Sequence, residues 1–288
     1  MRTKISISKT LLRFVCFYVL CIGTSYSACL GAQLSTKVYT FDVVPQFPAA
    51  KIYTTWSPLL QRIGQDAGLC FELRVSPSIP EFEQRFLKGE SDFAFLNPYH
   101  AVLAYQKKKY QPLLADAQDL LTGILVVRSD NPIKNLNDLK GKNVSFPAPN
   151  SFAASLLIRA QLAKQKIDIN PVFVKTHSNV YRSVINKDAL AGGGVNTLDN
   201  EAPEVRQQLR VLYETPAYTP HPIATHPSVS SDVRERFLKA MVKLTQDEEG
   251  QKLLDGINLN KPQAVSYAKH FKVLESLQLE KFLVLTGQ

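Results

Sequence analysis

The sequence predicts an α/β protein of two lobes, each a mixed sheet flanked by helices, with a hinge between them. Three observations carry this. Strand-like and helix-like segments alternate in two consecutive units, one from about residue 37 and one from Asn143. A stiff, extended, proline-rich stretch, Thr215-Pro-Ala-Tyr-Thr-Pro-His-Pro222, follows the second unit and reads as a crossing between lobes. The 288 residues exceed one typical small core, and 45% hydrophobic with 20% charged residues is an ordinary globular composition.

The elements follow in order. Residues 37–44 are rich in β-branched and aromatic types and read as a strand, broken by Pro45-Gln-Phe-Pro48. Trp56 to Ala67 carries Leu59, Leu60 and Ile63 at helical spacing, and Gly68 stops it. Phe71–Val75 is a strand. Glu81–Leu87 is a short helix ended by Gly89, and Asp92–Leu96 is a buried strand. Ala101–Lys109 returns to helix, Leu120–Arg128 to strand, and Leu136–Gly141 to a short helix. In the second unit, strands are expected at Val144–Phe146, Pro171–Lys175 and Ala189–Val195, with helices at Phe152–Gln165 and Asn179–Ile185. Val211–Tyr213 and Ile223–Thr225 flank the crossing, and the remainder, from Ser231 to Leu285, reads as helical. Lobe 1 is therefore expected over 36–122 plus 218–288, and lobe 2 over 123–217.

The N-terminus reads as an export signal over residues 1–28. Arg2, Lys4, Lys9 and Arg13 precede the apolar run Phe14–Ile22, and small and polar residues follow to Cys29. The run is shorter than the roughly 20 residues that span a bilayer. Simple cleavage near Ser27, Ala28 or Ala32 is placed ahead of lipidation at Cys29, because lipoprotein signals favour an aliphatic residue where this chain has Tyr26. Cys16 and Cys21 leave with the signal. Cys29 and Cys70 are open to pairing in an oxidising compartment, but the preferred reading is a buried, inert Cys70. No C-x-x-C occurs, so neither a thiol redox site nor a zinc ribbon is supported.

The formal net charge is +9, of which four charges sit in the first 13 residues. The remaining excess suits a solvated surface or an anion-attracting cleft. No basic stripe interleaved with aromatics points to nucleic acid. The five histidines show no i, i+4 pair on one helix, so no metal site is expected. Gly192-Gly-Gly194 lacks G-x-G-x-x-G spacing and reads as close packing, and no cofactor is expected.

Ligands of open α/β sheets sit beyond the carboxyl ends of strands. Three loops leave such ends: Pro45–Pro48, Asn97-Pro-Tyr99 and Pro147–Ser151. Asn150 or Ser151 can cap the helix that follows, whose first amides, near Phe152 and Ala153, have no internal partners and form an anion nest. His177 lies at a comparable rim, and Asn196 and Asp199 lie just beyond the glycines. Ser151 and His177 also suggest a nucleophile–base pair, but no G-x-S-x-G elbow supports it. The chain is read as a binder and not an enzyme.

From about Val38 to Met241 the chain resembles the phosphate/phosphite/phosphonate-binding, PhnD-like periplasmic proteins of ABC importers. The resemblance rests on Gly89–Tyr99, Asn135–Val144, Pro149-Asn-Ser151 at a helix start, His177 and Thr215–Pro222. It implies a type II-like periplasmic-binding-protein fold that closes on a small anionic ligand and presents it to an inner-membrane permease. The same fold also serves sensory proteins that report a ligand to a signalling partner. The resemblance further implies a periplasmic monomer in which Ser151 and the amides of Phe152 and Ala153 hold the anion. His177 would donate to it, and Tyr99, Asn97, Asn150, Asn196 and His221 would line the site. Three positions depart from the family pattern. Ser151-Phe-Ala153 replaces a Ser-Thr-Ser run, Ile79 an early-loop Tyr, and His221 an Asp.

Overall fold

A computed structural model describes residues 29–32, 37–196 and 198–284. The expected signal peptide lies outside these residues. Among them, no helix is long and apolar enough to cross a membrane.

The first unit runs β1 (Leu30–Gly31), β2 (Val38–Val43), α1 (Ala49–Ala67), β3 (Cys70–Val75), α2 (Ile79–Lys88), β4 (Phe93–Phe95), α3 (Pro98–Lys108) and β5 (Gln111–Asp116). Local chemistry sets the boundaries. Gly68 ends α1 and Gly89 ends α2 with positive φ, 65° and 82°. Ser78 caps α2 by accepting from the Glu81 amide, and Asn97 caps α3 by accepting from the His100 amide. α1 begins seven residues earlier than the apolar spacing suggests, directly after Pro48. Its first turns are mostly exposed, so periodicity could not reveal them.

The second unit runs β6 (Gly123–Arg128), β7 (Asn143–Phe146), a π-helical turn (Phe152–Leu157) continuing as α4 (Ile158–Lys164), β8 (Asn170–Phe173), α5 (His177–Ile185), β9 (Ala191–Val195), α6 (Pro203–Arg206) and β10 (Leu209–Glu214). β11 (Ile223–Thr225), α7 (Ser231–Lys243), α8 (Glu248–Asp255) and β12 (Pro262–Ala264) complete the chain, ending in short irregular helical turns to Phe282. Two expectations are corrected here. The C-terminal part is not wholly helical, since β12 pairs antiparallel with β5, and β5 itself drew no assignment from the sequence. β12 has only three residues and β5 is buried along nearly its whole length, so neither shows a clear alternation.

The strands form two mixed sheets, ordered β1-β3-β2-β4-β11-β5-β12 and β10-β6-β9-β7-β8. β2 is parallel to β3 and β4, and β7 is parallel to β8 and β9, whereas the other pairs are antiparallel. The chain passes between the sheets twice, after β5 and after β10. The two crossings are bonded to each other. Leu121 N donates to Tyr218 O at 2.9 Å, Tyr218 N to Leu121 O at 3.0 Å, and Gly123 N to the Thr215 hydroxyl at 2.9 Å. The two sheets are thus joined by a paired double crossing, the arrangement expected of a hinged two-lobed protein.

The core of the first sheet is aromatic, with Phe41, Phe71, Phe93 and Phe237 in mutual contact at ring separations of 4.9–6.3 Å. Phe152, Ala153, Leu156 and Leu157 join this core although they follow β7 of the other sheet. The lobes are therefore packed together along that flank.

Cys29 and Cys70 form a disulfide, with Cα atoms 5.3 Å apart. This corrects the reading of Cys70 as an inert thiol and removes the Cys29 sulfur from lipidation. β1 is built into the fold: Gly31 pairs with Cys70, and its Cα lies 2.5 Å from where a Cβ on Gly64 would stand. Cleavage at Ala32 would delete both strand and bridge, so the mature chain is expected to begin at or before Cys29. The bridged residues are 41 apart, and closing such a loop stabilises by about 4 kcal/mol on chain-entropy grounds. Reduction is expected to lower Tm markedly. Intact-mass analysis of the exported protein should show no free thiol, and a mass starting beyond Cys29 would contradict the arrangement.

Candidate functional site

A cleft of about 770 Å³ opens between the two sheets. One wall comes from the carboxyl ends of β2 and β4 and the first turns of α1: Val43, Val44, Gln46, Lys51, Trp56 and Phe95. The other comes from the start of α5, with Thr176, His177, Ser178, Asn179 and Arg182, and from Val195 and Asn196 at the end of β9. This is the expected position for a ligand of an open α/β sheet.

α5 starts here because Thr176, in extended conformation, accepts the Asn179 amide at 3.2 Å. That cap leaves the His177 and Ser178 amides without intrahelical acceptors, at the positive end of the helix. The Nδ1 of His177 is buried and has no hydrogen-bond partner. Arg182 stands on the same helix, and Lys51 stands on the opposite wall. Two of the acidic side chains in the cleft are already engaged. Asp116 accepts the main-chain amides of Gln118, Asp119 and Lys261, and Asp119 accepts from Asn260.

His221 lies at the floor. Its ring stacks on Phe95 at 5.5 Å, and the Gln46 amide nitrogen meets its Nε2 at 2.8 Å. Phe95 in turn packs against Trp56 at 4.9 Å. Burial pushes His221 down to about 3, helped by His100 and His177 nearby, and pushes His177 down to about 4. Both rings are thus neutral near pH 7 and act as hydrogen-bonding groups rather than cations. An unfolded histidine titrates near 6.5. As pH falls below that value the unfolded chain takes up protons that these folded histidines refuse, so stability is lost from about pH 6.5 down to their folded values. Tm is expected to fall between pH 7 and pH 5, and a His177→Gln/His221→Gln variant should show a shallower acid limb. Parallel limbs would contradict the burial argument.

Of the residues named from sequence, the structure brings His177, Asn196 and His221 into this cleft and leaves the others outside it. Asn97 is buried, capping α3 and donating to Asn150 O at 3.1 Å. Tyr99 is buried and donates to Glu280 at 3.3 Å, and that burial and the carboxylate raise it to about 12. The Asn150 side chain bonds both oxygens of Glu83 and the backbone of Val284. It therefore does not cap the next helix. Ser151 holds the cap position without a side-chain bond, and its carbonyl accepts both Ser155 N and Leu156 N in a π turn. Phe152 and Ala153 are each only 2% exposed, with Phe152 edge-on to Tyr218 at 5.7 Å. The helix start expected to hold the anion is thus packed into the core. Gln46 belongs to the Pro45–Pro48 loop expected at the site, whereas Lys51, Thr176 and Arg182 were not anticipated from sequence. The N-cap threonine before a helix was the available signal for the last two.

Among the described residues, no cluster of three or more His, Cys, Asp or Glu side chains is placed to hold a metal.

Residues 41–270 match the family described as ABC transporter, phosphonate, periplasmic substrate-binding protein. The chain belongs to this family. It is 24% identical over 241 residues to the phosphonates-binding periplasmic protein of Escherichia coli, covering 78% of this chain and 71% of that one. Its fold is similar to the binding protein component of an ABC phosphonate transporter from Pseudomonas aeruginosa, with TM-score 0.74, 19% identity, and 86% and 87% of the two chains covered. It is also similar to a PhnD protein from Prochlorococcus marinus in complex with methylphosphonate, with TM-score 0.75, 15% identity, and 85% and 98% covered. The two-lobed binding-protein architecture expected from sequence is therefore established, in a family of periplasmic substrate-binding proteins rather than enzymes.

Proposed function

We propose that this chain captures a small oxyanion of the phosphonate, phosphite or phosphate type in the inter-lobe cleft and delivers it to an inner-membrane ABC permease. The observation that carries the reading is the start of α5, with its uncommitted amides, unpartnered His177 Nδ1 and Arg182, lying across the cleft from Lys51. A tetrahedral oxyanion presents several acceptors to such a set of donors. Asn196 and the neutral His221 complete the walls. The ligand is held between lobe 1, residues 36–122 with 218–288, and lobe 2, residues 123–217, which the paired crossings at Leu121 and Tyr218 connect. The mature chain acts in the periplasm as a monomer.

A thermal-shift screen tests this with phosphate, phosphite, methylphosphonate, 2-aminoethylphosphonate, sulfate and carboxylates. A ligand at 100 times its dissociation constant adds about 2.7 kcal/mol of stability, which is readily seen. A shift from at least one phosphorus oxyanion is expected. A response only to carboxylates or to none of the panel would count against the reading.

A further inference from the structure

The cleft does not account for a second polar centre, buried on the flank where the lobes are packed together. Glu83, on α2, is only 1% exposed. Its Oε1 meets His100 Nε2, on α3, at 2.9 Å. The Asn150 amide, in the loop after β7 of the other sheet, donates to its two oxygens at 2.8 and 3.0 Å. Asn150 is itself clamped to the backbone of Val284, accepting its N–H at 2.9 Å and donating to its carbonyl at 3.0 Å. Arg159, on α4, fastens the same tail by donating to Phe282 O at 2.7 Å.

The geometry points to Glu83 as a built-in anion that joins the lobes without a solute. In a two-lobed binding protein the captured ligand supplies bonds to both walls and so holds them together. Here a carboxylate from lobe 1 receives its bonds from lobe 1 through His100 and from lobe 2 through Asn150, as a bound oxyanion would. It lies beside the loop that leads into the Phe152 helix. A buried carboxylate there disfavours a second anion at that helix start, and the flank stays shut when the cleft is empty. Glu83 is thus a positioning residue, acting through Asn150 to fix lobe 2 and to leave the α5 side as the receptive end. This last consequence rests on the proposed capture in the cleft; the latch itself does not.

The test uses ligand-free mature protein, so its outcome is separate from that of the solute screen. Glu83→Gln keeps size and shape, but both Glu83 oxygens contact Asn150 Nδ2, so either amide orientation sets an N–H against an N–H. This variant is expected to lower Tm and enlarge the radius of gyration in small-angle scattering as the lobes part. Glu83→Ala leaves a carboxylate-sized hole, so sodium formate or acetate should raise its Tm with increasing dose. Sodium chloride at equal ionic strength should not, and formate should leave the parent unmoved. The inference is overturned if Glu83→Gln matches the parent in both Tm and radius, or if Glu83→Ala is destabilised with no response to formate. Should Glu83→Ala fail to fold, the Gln variant decides alone.

Discussion

Gly193→Ala is expected to destabilise the protein by about 3 kcal/mol, the upper end of what overpacking a filled site costs. A Cβ on Gly193 would stand 2.0 Å from the Ala154 carbonyl oxygen and 2.6 Å from the Phe146 ring. One of those neighbours is helix backbone and cannot swing aside. Gly123 makes the matching approach, with a Cβ there only 2.2 Å from the Ala153 carbonyl. Together these glycines let β6 and β9 lie directly against the turn at Phe152–Leu157. Urea unfolding of the purified variant measures the loss. Because that turn also joins the core of the other lobe, Gly193→Ala should shift the whole transition rather than create a separate early phase. A change below about 0.5 kcal/mol, the scale of neutral surface substitutions, would mean that the contact relaxes without cost.

The second large effect concerns affinity. His177→Ala and Arg182→Ala are each expected to weaken binding of the oxyanion about tenfold to a hundredfold, the range for loss of one hydrogen bond to a charged group. Lys51→Ala should act in the same direction and more weakly, since Lys51 is a flexible, exposed charge. Ser151→Ala should leave affinity nearly unchanged, because Ser151 does not line the cleft. The family resemblance alone assigns the anion to Ser151 and the following amides, so this comparison separates the two placements. A large loss in Ser151→Ala with none in Arg182→Ala would return the site to the helix start. Titration calorimetry on the four variants gives the answer.

What could be read from the sequence was what local chemistry decides. The strand–helix alternation, the stops at Gly68 and Gly89, and the proline-rich crossing all follow from neighbouring residues, and they were enough to predict two α/β lobes and a hinge. The glycine run at 192–194 was read as close packing, and that is its role: each glycine approaches a helix or an aromatic ring. The candidate site was only half legible. His177 and Asn196 stand just beyond strand ends and face the cleft, as does His221, which only the family resemblance singles out. Asn97 and Asn150 met the same criterion and turned inward. Nothing within a few residues of Asn150 indicates its acceptor, Glu83, which lies 67 positions away. A polar side chain in a rim loop is engaged or available according to long-range partners, which spacing does not encode. Cys29 and Cys70 show the same limit. The pair was recognised as a candidate bridge, but only the pairing of β1 with β3 brings the two residues together.

The central claim is reversible capture of a phosphorus oxyanion in the cleft without chemical change. Titration of mature protein with methylphosphonate and with phosphate, followed by phosphorus-31 NMR of the ligand recovered after denaturation, tests it most directly. The account predicts saturable one-to-one binding of at least one of the two and recovery of the ligand with its spectrum unchanged. Absence of binding to both, or a new phosphorus resonance in the recovered ligand, would contradict it.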